Sequence, residues 1–327
     1  MTSHQAVADK NISSEHSSED AVGSRDDHFV KGHLPEERSM PIPVRTVPFV
    51  LVHLIPLLAV FTDVSLFDWA LCFSLYFIRM FFVTAGYHRY FSHRTFKTSR
   101  IFQFLLAFCA ETSAQKGALW WAAHHRTHHK HSDTPRDPHS MKIYGFWYSH
   151  LGWILGPDYD DTEYKLIPDL VKYPELRWLD KYFLIPPIAL GFLVFVLGGW
   201  VNSGSFTFEG IVTHGWSTLL IGFFLSTVIL YHGTFSINSL MHKFGKPRYD
   251  TGDESRNSWW LAILTLGEGW HNNHHYYQSA ARQGFFWWEV DISYYVIRLL
   301  GALGLVWDIR EVPHHVQYSE KKTLSAS

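Results

Sequence analysis

The sequence predicts an all-α membrane protein, with four transmembrane helices in two hairpins and a cytoplasmic helical cap that holds a histidine-rich dimetal site. Three observations carry that expectation. Charged residues are 18% of the 327-residue chain, against about 25% in ordinary soluble domains, while 14 Trp, 16 Tyr and 25 Phe are present. Four apolar stretches each approach the ~20 residues needed to cross ~30 Å of hydrocarbon. Nine of the 22 histidines gather in repeated, spaced groups that follow the second and fourth of those stretches.

Residues 1–40 are rich in Ser, Asp, Glu and His and hold no apolar run, the composition of a disordered polar tail without the apolar core of a signal peptide. The integral-membrane domain is expected over 41–312, with spans near 44–61, 66–86, 182–200 and 211–231, and a second tail over 313–327. The turns at 62–65 and 201–210 contain no Lys or Arg, whereas the segment between the hairpins, 87–181, contains 13. Basic residues accumulate on the cytoplasmic side, so that segment, the chain after the fourth span and both termini are expected in the cytoplasm. Three further apolar stretches, 101–110, 259–266 and 290–307, are short or interrupted by charge and read as interfacial or packed helices. A fifth span at 290–307 stays open. The net charge of -2 gives no basic field for nucleic acid, and two cysteines, Cys72 and Cys109, cannot build a disulfide framework or a thiolate metal site.

After the second apolar stretch comes GYHRYFSHR, with His88 and His93 spaced HxxxxH. Five residues on a straight α-helix rotate by about 500° and leave two rings about 140° apart, so both reach one site only if the helix ends or bends between them. Next, His125, His128 and His129 form HxxHH within WWAAHHRTHHKHSDTPRDPH. Residues at i, i+3 and i+4 share one face, and three imidazoles aimed one way favour a metal. His271, His274 and His275 repeat that spacing in GEGWHNNHH, and Asn238 and His242 stand one turn apart in NSLMH. His124, His131, His139 and His150 fall off these faces and are expected to be solvated or to lie behind the ligands. Nine histidines exceed the four ligands of a single zinc-type site, so two metal ions are implied. Imidazole suits Zn, Cu, Fe and Ni alike. A membrane metal carrier is the non-enzymatic alternative, but its ligands belong inside the spans.

In that order, HxxxxH, HxxHH, NxxxH and HxxHH around two apolar hairpins resemble the membrane fatty acid desaturases, in particular the stearoyl-CoA (delta-9) branch, over roughly residues 44–310. Without an HPGG haem motif the chain is most similar to bacterial members. The resemblance implies two non-haem Fe ions with O2 as co-substrate. His88, His93, His125, His128, His129, His242, His271, His274 and His275 would be the ligands, and Asn238 would hold a metal-bound water. Asp133, Asp137 and Glu268 are the nearest acids in sequence to orient the rings.

The implied reaction places a cis double bond, delta-9 by resemblance, in a saturated acyl chain. Unactivated methylenes need an oxidant stronger than any side chain, so the metal centre carries the chemistry and the protein supplies position. By resemblance Gln115, Trp121 and Thr234 map to the bend of the substrate channel. Tyr76 and Met80 are expected at its floor, and Lys116 is a weak headgroup or carrier contact. At the mouth this chain has Lys116, Ala123 and His124 where animal members carry Asn, Arg and Asp against CoA. Acyl-CoA and phospholipid acyl chains therefore both stay open as substrate. Arg79, inside the second span, could snorkel to headgroups or pair internally, and snorkelling is the expectation. The chain has no electron-carrier motif, so a separate ferredoxin, cytochrome b5 or flavin reductase type protein is implied as a partner, with the bilayer as the other. The implied location is multi-pass in a bacterial inner membrane. A di-iron hydroxylase or ketolase would use similar boxes but add about 16 mass units where a desaturase removes about 2.

Overall fold

Where a chain meets hydrocarbon, its backbone polar groups must be satisfied internally, and helices achieve this within one segment. The computed structural model describes residues 43–319 and is helical. Among the described residues the only sheet is a two-residue pair, Lys97–Thr98 against Val306–Trp307. The expected polar tail at 1–40 lies outside the described residues, as does the end of the expected tail at 313–327. Residues 313–319 fold back onto the body: Gln317 Nε2 donates to the Phe285 carbonyl and the Tyr249 hydroxyl donates to the Gln317 carbonyl, both at 2.7 Å.

Among the described residues three helices are long and apolar enough to cross a membrane: Leu66–Ser92, Ile185–Ser203 and Phe208–His242. The stretch expected as the first of four spans is a shorter apolar helix, Thr46–Phe61. Pro56 removes a backbone donor within it, and the half from Ile55 to Phe61 tightens into 3-10 geometry. Large apolar side chains on these helices point outward, among them Phe61, Leu66, Phe73 and Phe192. So extensive an exposed apolar surface marks a lipid-facing belt.

The 185–203 and 208–242 helices pack along one another. A Cβ at Gly199 would fall 2.5 Å from Ile211 Cα, and one at Gly215 would fall 2.6 Å from the Phe195 carbonyl oxygen. Only hydrogen fits at these crossings, as in other close membrane helix pairs. One end of the bundle is tied by Asp68. Its carboxylate accepts from the Ser65 amide (2.8 Å), from Asn202 Nδ2 (3.1 Å) and from the Thr218 hydroxyl, while Ser65 Oγ accepts from the Asp68 amide. A capping box thus doubles as a tie among three helices. Arg79 does not snorkel. It is 1% exposed, and its guanidinium donates to the Leu75 and Thr112 carbonyls and to the Ser226 and Thr227 hydroxyls. The neighbouring 208–242 helix lies across its route outward and satisfies it in place.

At 35 residues the 208–242 helix is about 52 Å long and overshoots a ~30 Å hydrocarbon layer. The 66–92 helix ends in π geometry from Phe82 to Ser92. His88 and His242 lie at the ends of these helices remote from Asp68. The segments Arg100–Glu111, Ala118–His131, Trp259–Leu264 and His271–Tyr276 are all helical.

Asp68→Ala leaves the Ser65 amide, Asn202 and Thr218 without their shared acceptor, so it is expected to lower stability by about 2 kcal/mol. Thermal denaturation in detergent measures this. Metal stoichiometry should be unchanged, since the tie lies at the opposite end of the bundle.

Candidate metal centre

The nine histidines are delivered by four local devices. The π segment of the 66–92 helix closes i→i+5 turns, and the His93 amide donates to the His88 carbonyl at 3.2 Å. A five-residue spacing that splits two rings on an α-helix becomes one turn here, so His88 and His93 face the same way. Ala118–His131 presents His125, His128 and His129 from one face. Its first turn is capped from outside the helix: the Ala118 amide donates to Glu111 (3.0 Å) and the Trp120 amide to Asp180 (2.9 Å). His242 ends the long helix in a 3-10 turn. The short helix 271–276 is pinned by the asparagines between its histidines. Asn272 Oδ1 accepts from the Arg248 and Tyr249 amides (2.7 Å each), and Asn273 Nδ2 donates to Glu289 (2.9 Å).

The result is two adjoining groups. His88, His93, His125, His129 and His274 bring one ring nitrogen each within 4.8 Å of one another, as do His128, His242, His271 and His275. The groups touch where the rings of His129 and His275 lie 4.4 Å apart. Within them Nε2 faces Nε2: His88 to His274 and His93 to His125 at 2.9 Å, His129 to His274 at 3.0 Å, and His242 to His271 at 3.1 Å.

Carboxylates hold four rings from behind. His128 Nδ1 donates to Asp137 (2.9 Å), His242 Nδ1 to Asp133 (3.2 Å), His275 Nδ1 to Asp253 (2.6 Å), and His88 Nδ1 contacts Glu268. An ionised carboxylate only accepts, so each such ring keeps its proton on Nδ1 and turns the Nε2 lone pair into the cage. Arg89 braces Glu268 with two donors (3.0 and 3.2 Å), and Gln283 Nε2 donates to it as well (2.9 Å). Asp253 and Gln283 were not legible in the sequence. Asp253 lies in a polar loop 22 residues before its partner, and Gln283 lies beyond the last box.

A cage of neutral imidazoles is frustrated without a cation, because facing lone pairs have one proton between them at most. His275 Nε2 is buried with no hydrogen-bond partner among the described residues. Both facts fit the donor set to metal. Burial, with the charge of neighbouring rings, pushes His125, His129, His271 and His274 well below the ordinary 6.5. His275 is pushed down to about 4 by burial, against the pull of Asp253. His128 moves up: burial lowers it, but Asp137, Asp133 and Asp253 outweigh that. Burial alone would raise Asp133, yet the hydrogen bond and charge of His242 hold it at about 2.

A cavity of about 360 Å³ opens on the cage, lined by His88, His125, His128 and His271 at one side and by apolar residues such as Val52, Val83 and Leu184 elsewhere. Gln115, Lys116, Trp121, Thr234 and Asn238 also line it. Gln115 Nε2 donates to Thr234 Oγ1 at 3.1 Å, and Trp121 stacks between Tyr87 and His125 with ring centroids at 5.6 and 4.9 Å. Lys116 Nζ lies 3.2 Å from Asp160. Tyr76 and Met80 are not among the lining residues. The Tyr76 hydroxyl donates to the Leu264 carbonyl (2.7 Å) and Met80 packs with Leu230 and Leu266, while Val83 and Thr84 represent their helix in the wall. His124 and His139 are buried rather than solvated: His124 Nδ1 lies 2.8 Å from the Trp120 carbonyl oxygen, and the His139 ring lies 4.3 Å from that of His128. His150 is likewise buried, 2.9 Å from Ser239 and 3.0 Å from His232.

Fold and site together define a membrane protein with a histidine cage suited to metal beside an apolar chamber. The sequence model of the family described as fatty acid desaturase matches residues 66–283. The chain is 39% identical to the sn-1 stearoyl-lipid 9-desaturase of Anabaena variabilis, over 70% of this chain and 78% of that one. It is 38% identical to the sn-2 palmitoyl-lipid 9-desaturase of Nostoc sp., over 76% and 84%, and 36% identical to the sn-1 stearoyl-lipid 9-desaturase of Synechocystis sp., over 87% and 86%. The chain belongs to the fatty acid desaturase family and is an oxidoreductase acting on acyl chains.

Asp253→Ala frees the His275 ring to turn, and loss of such a partner weakens metal binding by about 10–100-fold. Chelator competition followed by metal analysis should show that loss, and wild-type retention would refute the orienting role. Acid acts with a definite sign. His275 takes up its proton at about 6.5 in the unfolded chain but at about 4 in the cage, so its contribution to stability falls as pH drops from 6.5 toward 4. Metal held by neutral rings is expected to persist at pH 6 and to be released near pH 4; complete release at pH 6.5 would contradict the protection by burial.

Proposed function

We propose that this enzyme inserts a cis double bond at the delta-9 position of an acyl chain esterified to a membrane lipid, at a non-haem di-iron centre. The observation that carries the reading is that four histidines of the nine-histidine cage stand on the wall of a mostly apolar chamber. The relatives named as lipid 9-desaturases support both the position of the bond and the lipid-linked substrate.

His88, His93, His125, His129 and His274 would hold one iron and His128, His242, His271 and His275 the other, with Asn238 holding a bound water. The metals, when bound, supply an oxidant made from O2 and two electrons that is strong enough to take two hydrogens from adjacent methylenes. With two protons the overall change gives the alkene and two waters. The chain's own residues do the positioning. Asp133, Asp137, Asp253 and Glu268 fix ring tautomers, the apolar wall excludes bulk water from the reacting carbons, and the Gln115–Thr234 hydrogen bond with the stacked Trp121 sets the bend against which the acyl chain registers. Lys116, engaged by Asp160, sits where an ester or headgroup arrives.

The helix at 46–61 completes four spans in two hairpins in this reading, with the cage and both termini on the cytoplasmic side of a bacterial inner membrane. The basic segment 87–181 supports that orientation. Electrons arrive from a separate protein of the ferredoxin, cytochrome b5 or flavin reductase type.

The test is acyl-chain mass spectrometry with double-bond localisation in a desaturase-deficient host expressing the chain or its His128→Ala variant, with CoA and phospholipid pools extracted separately. A cis-9 monoene appearing first in phospholipid, and only with the intact histidine, is the expected result. Oxygenated chains would instead establish a hydroxylase. No new chain despite bound iron and a supplied reductase would leave a metal carrier.

A further inference from the structure

A second apolar cavity, about 500 Å³, lies beside the chamber, and Val52, Ala114, Leu184 and Tyr231 line both. The two spaces therefore meet along a shared wall. The second occupies the cleft between the 185–203 and 208–242 helices. Leu184, Ile188, Gly191 and Phe195 line it at i, i+4, i+7 and i+11, one helical face, and Leu219, Phe223 and Thr227 line the other side. From 184 to 195 the cleft runs about 16 Å, the scale of a long alkyl chain. Gly191 provides its width.

Apart from the Trp216 indole, the polar groups of the cleft are already engaged. Thr227 Oγ1 donates to the Phe223 carbonyl (2.7 Å) and accepts from Arg79 (2.7 Å), and the Tyr231 hydroxyl donates to the Ala114 carbonyl (3.0 Å). The lining suits hydrocarbon and no headgroup. Ala114, on the shared wall, is followed directly by Gln115 and Lys116 in the chamber, so polar groups sit where the two apolar spaces diverge. A molecule with two alkyl chains joined at a polar linkage matches that layout, and a single-chain thioester leaves one space without an occupant.

We infer that this cleft holds the second acyl chain of a two-chain lipid, the one that is not desaturated, while its sister enters the chamber. The inference rests on the acyl-lipid reading above and assigns a place in the fold to the rest of that lipid. Gly191→Leu is the probe. A Cβ there meets the Phe223 ring at an ordinary 3.5 Å, so the backbone need not move, and the remaining side chain fills the cleft. Ile188→Trp narrows the same space from the rim, in case the first variant folds poorly.

Purified metal-loaded enzyme in detergent is offered equal amounts of 1,2-distearoyl-phosphatidylcholine and 1-stearoyl-lysophosphatidylcholine. Native mass spectrometry counts the lipid retained, and a reductant-driven assay counts turnover. In both variants the diacyl-to-monoacyl ratio of retention should fall by about ten-fold or more, with the ratio of turnover following it. Unchanged ratios in both variants, or parallel loss of both lipids, would overturn the inference. If the retention ratio shifts as expected while the wild type desaturates neither lipid, the cleft assignment stands and the acyl-lipid activity fails.

Discussion

The structure depends on bringing nine imidazoles together at one place. In water an imidazole titrates near 6.5; inside the protein, burial penalises the charged form and pushes His93, His125, His129, His271, His274 and His275 below that value, which leaves their lone pairs free for a metal. Rings crowded Nε2 to Nε2 at about 3 Å have little reason to associate on their own, and their arrangement is imposed from outside. Asp133, Asp137, Asp253 and Glu268 each grip a ring at Nδ1, and those carboxylates are themselves held. Ser140 and the Glu254 amide donate to Asp133 (2.8 Å each), the Asp133 amide donates to Asp137 (2.9 Å), and Arg89 spans Glu268 and Asp291. The membrane helices serve the same end by overshooting the bilayer and carrying ligands at their far tips.

How much of this was legible follows from the range of each interaction. HxxHH fixes a face by local geometry, so the groups at 125–129 and 271–275 could be read directly, as could the long fourth apolar helix that carries His242. HxxxxH could not be resolved, because α and π turns give opposite answers and the choice is made by packing around Phe82–Ser92. Three expected spans are helices of 19 residues or more, whereas the helix described at Thr46–Phe61 is shorter and passes into 3-10 geometry from Ile55. Arg79 was misjudged because an arginine's route to headgroups depends on which helix lies across it. Tyr76 and Met80 sit at a sensible height on their helix, but height does not give azimuth, and the structure turns them toward Leu264 and Leu266.

Asp253 shows the limit of reading acids by proximity in sequence. Asp133 and Asp137 follow the second box closely, and Glu268 precedes the last one by three residues. Asp253 reaches His275 through a loop, with Thr251 and Ser255 donating to it, and no spacing announces it. A buried carboxylate without such donors would be raised toward neutrality by desolvation and would stop acting as an obligate acceptor. The donors around each acid therefore set the tautomer of the ring in front of it.

The apolar chamber and the polar cage impose opposite requirements on neighbouring atoms, and the contact between them is correspondingly narrow. Cage histidines reach the chamber wall, while Trp121 covers His125 with a stacked ring and shields the side of the group nearest the acyl path. A hydrocarbon has no handle by which to be registered, so its position must come from shape. In the proposed reading the Gln115–Thr234 bond supplies that shape, and Thr234 Oγ1 is fixed in turn by donating to the Leu230 carbonyl at 3.0 Å. Shape registers a chain only if its other end is fixed as well. In the proposed reading, a linkage seated beside Lys116, with a sister chain lying along the 185–203 helix, would fix that end by apolar burial over many atoms rather than by one charge. On this view the distance from linkage to cage selects the carbon, and selectivity comes from both cavities acting together.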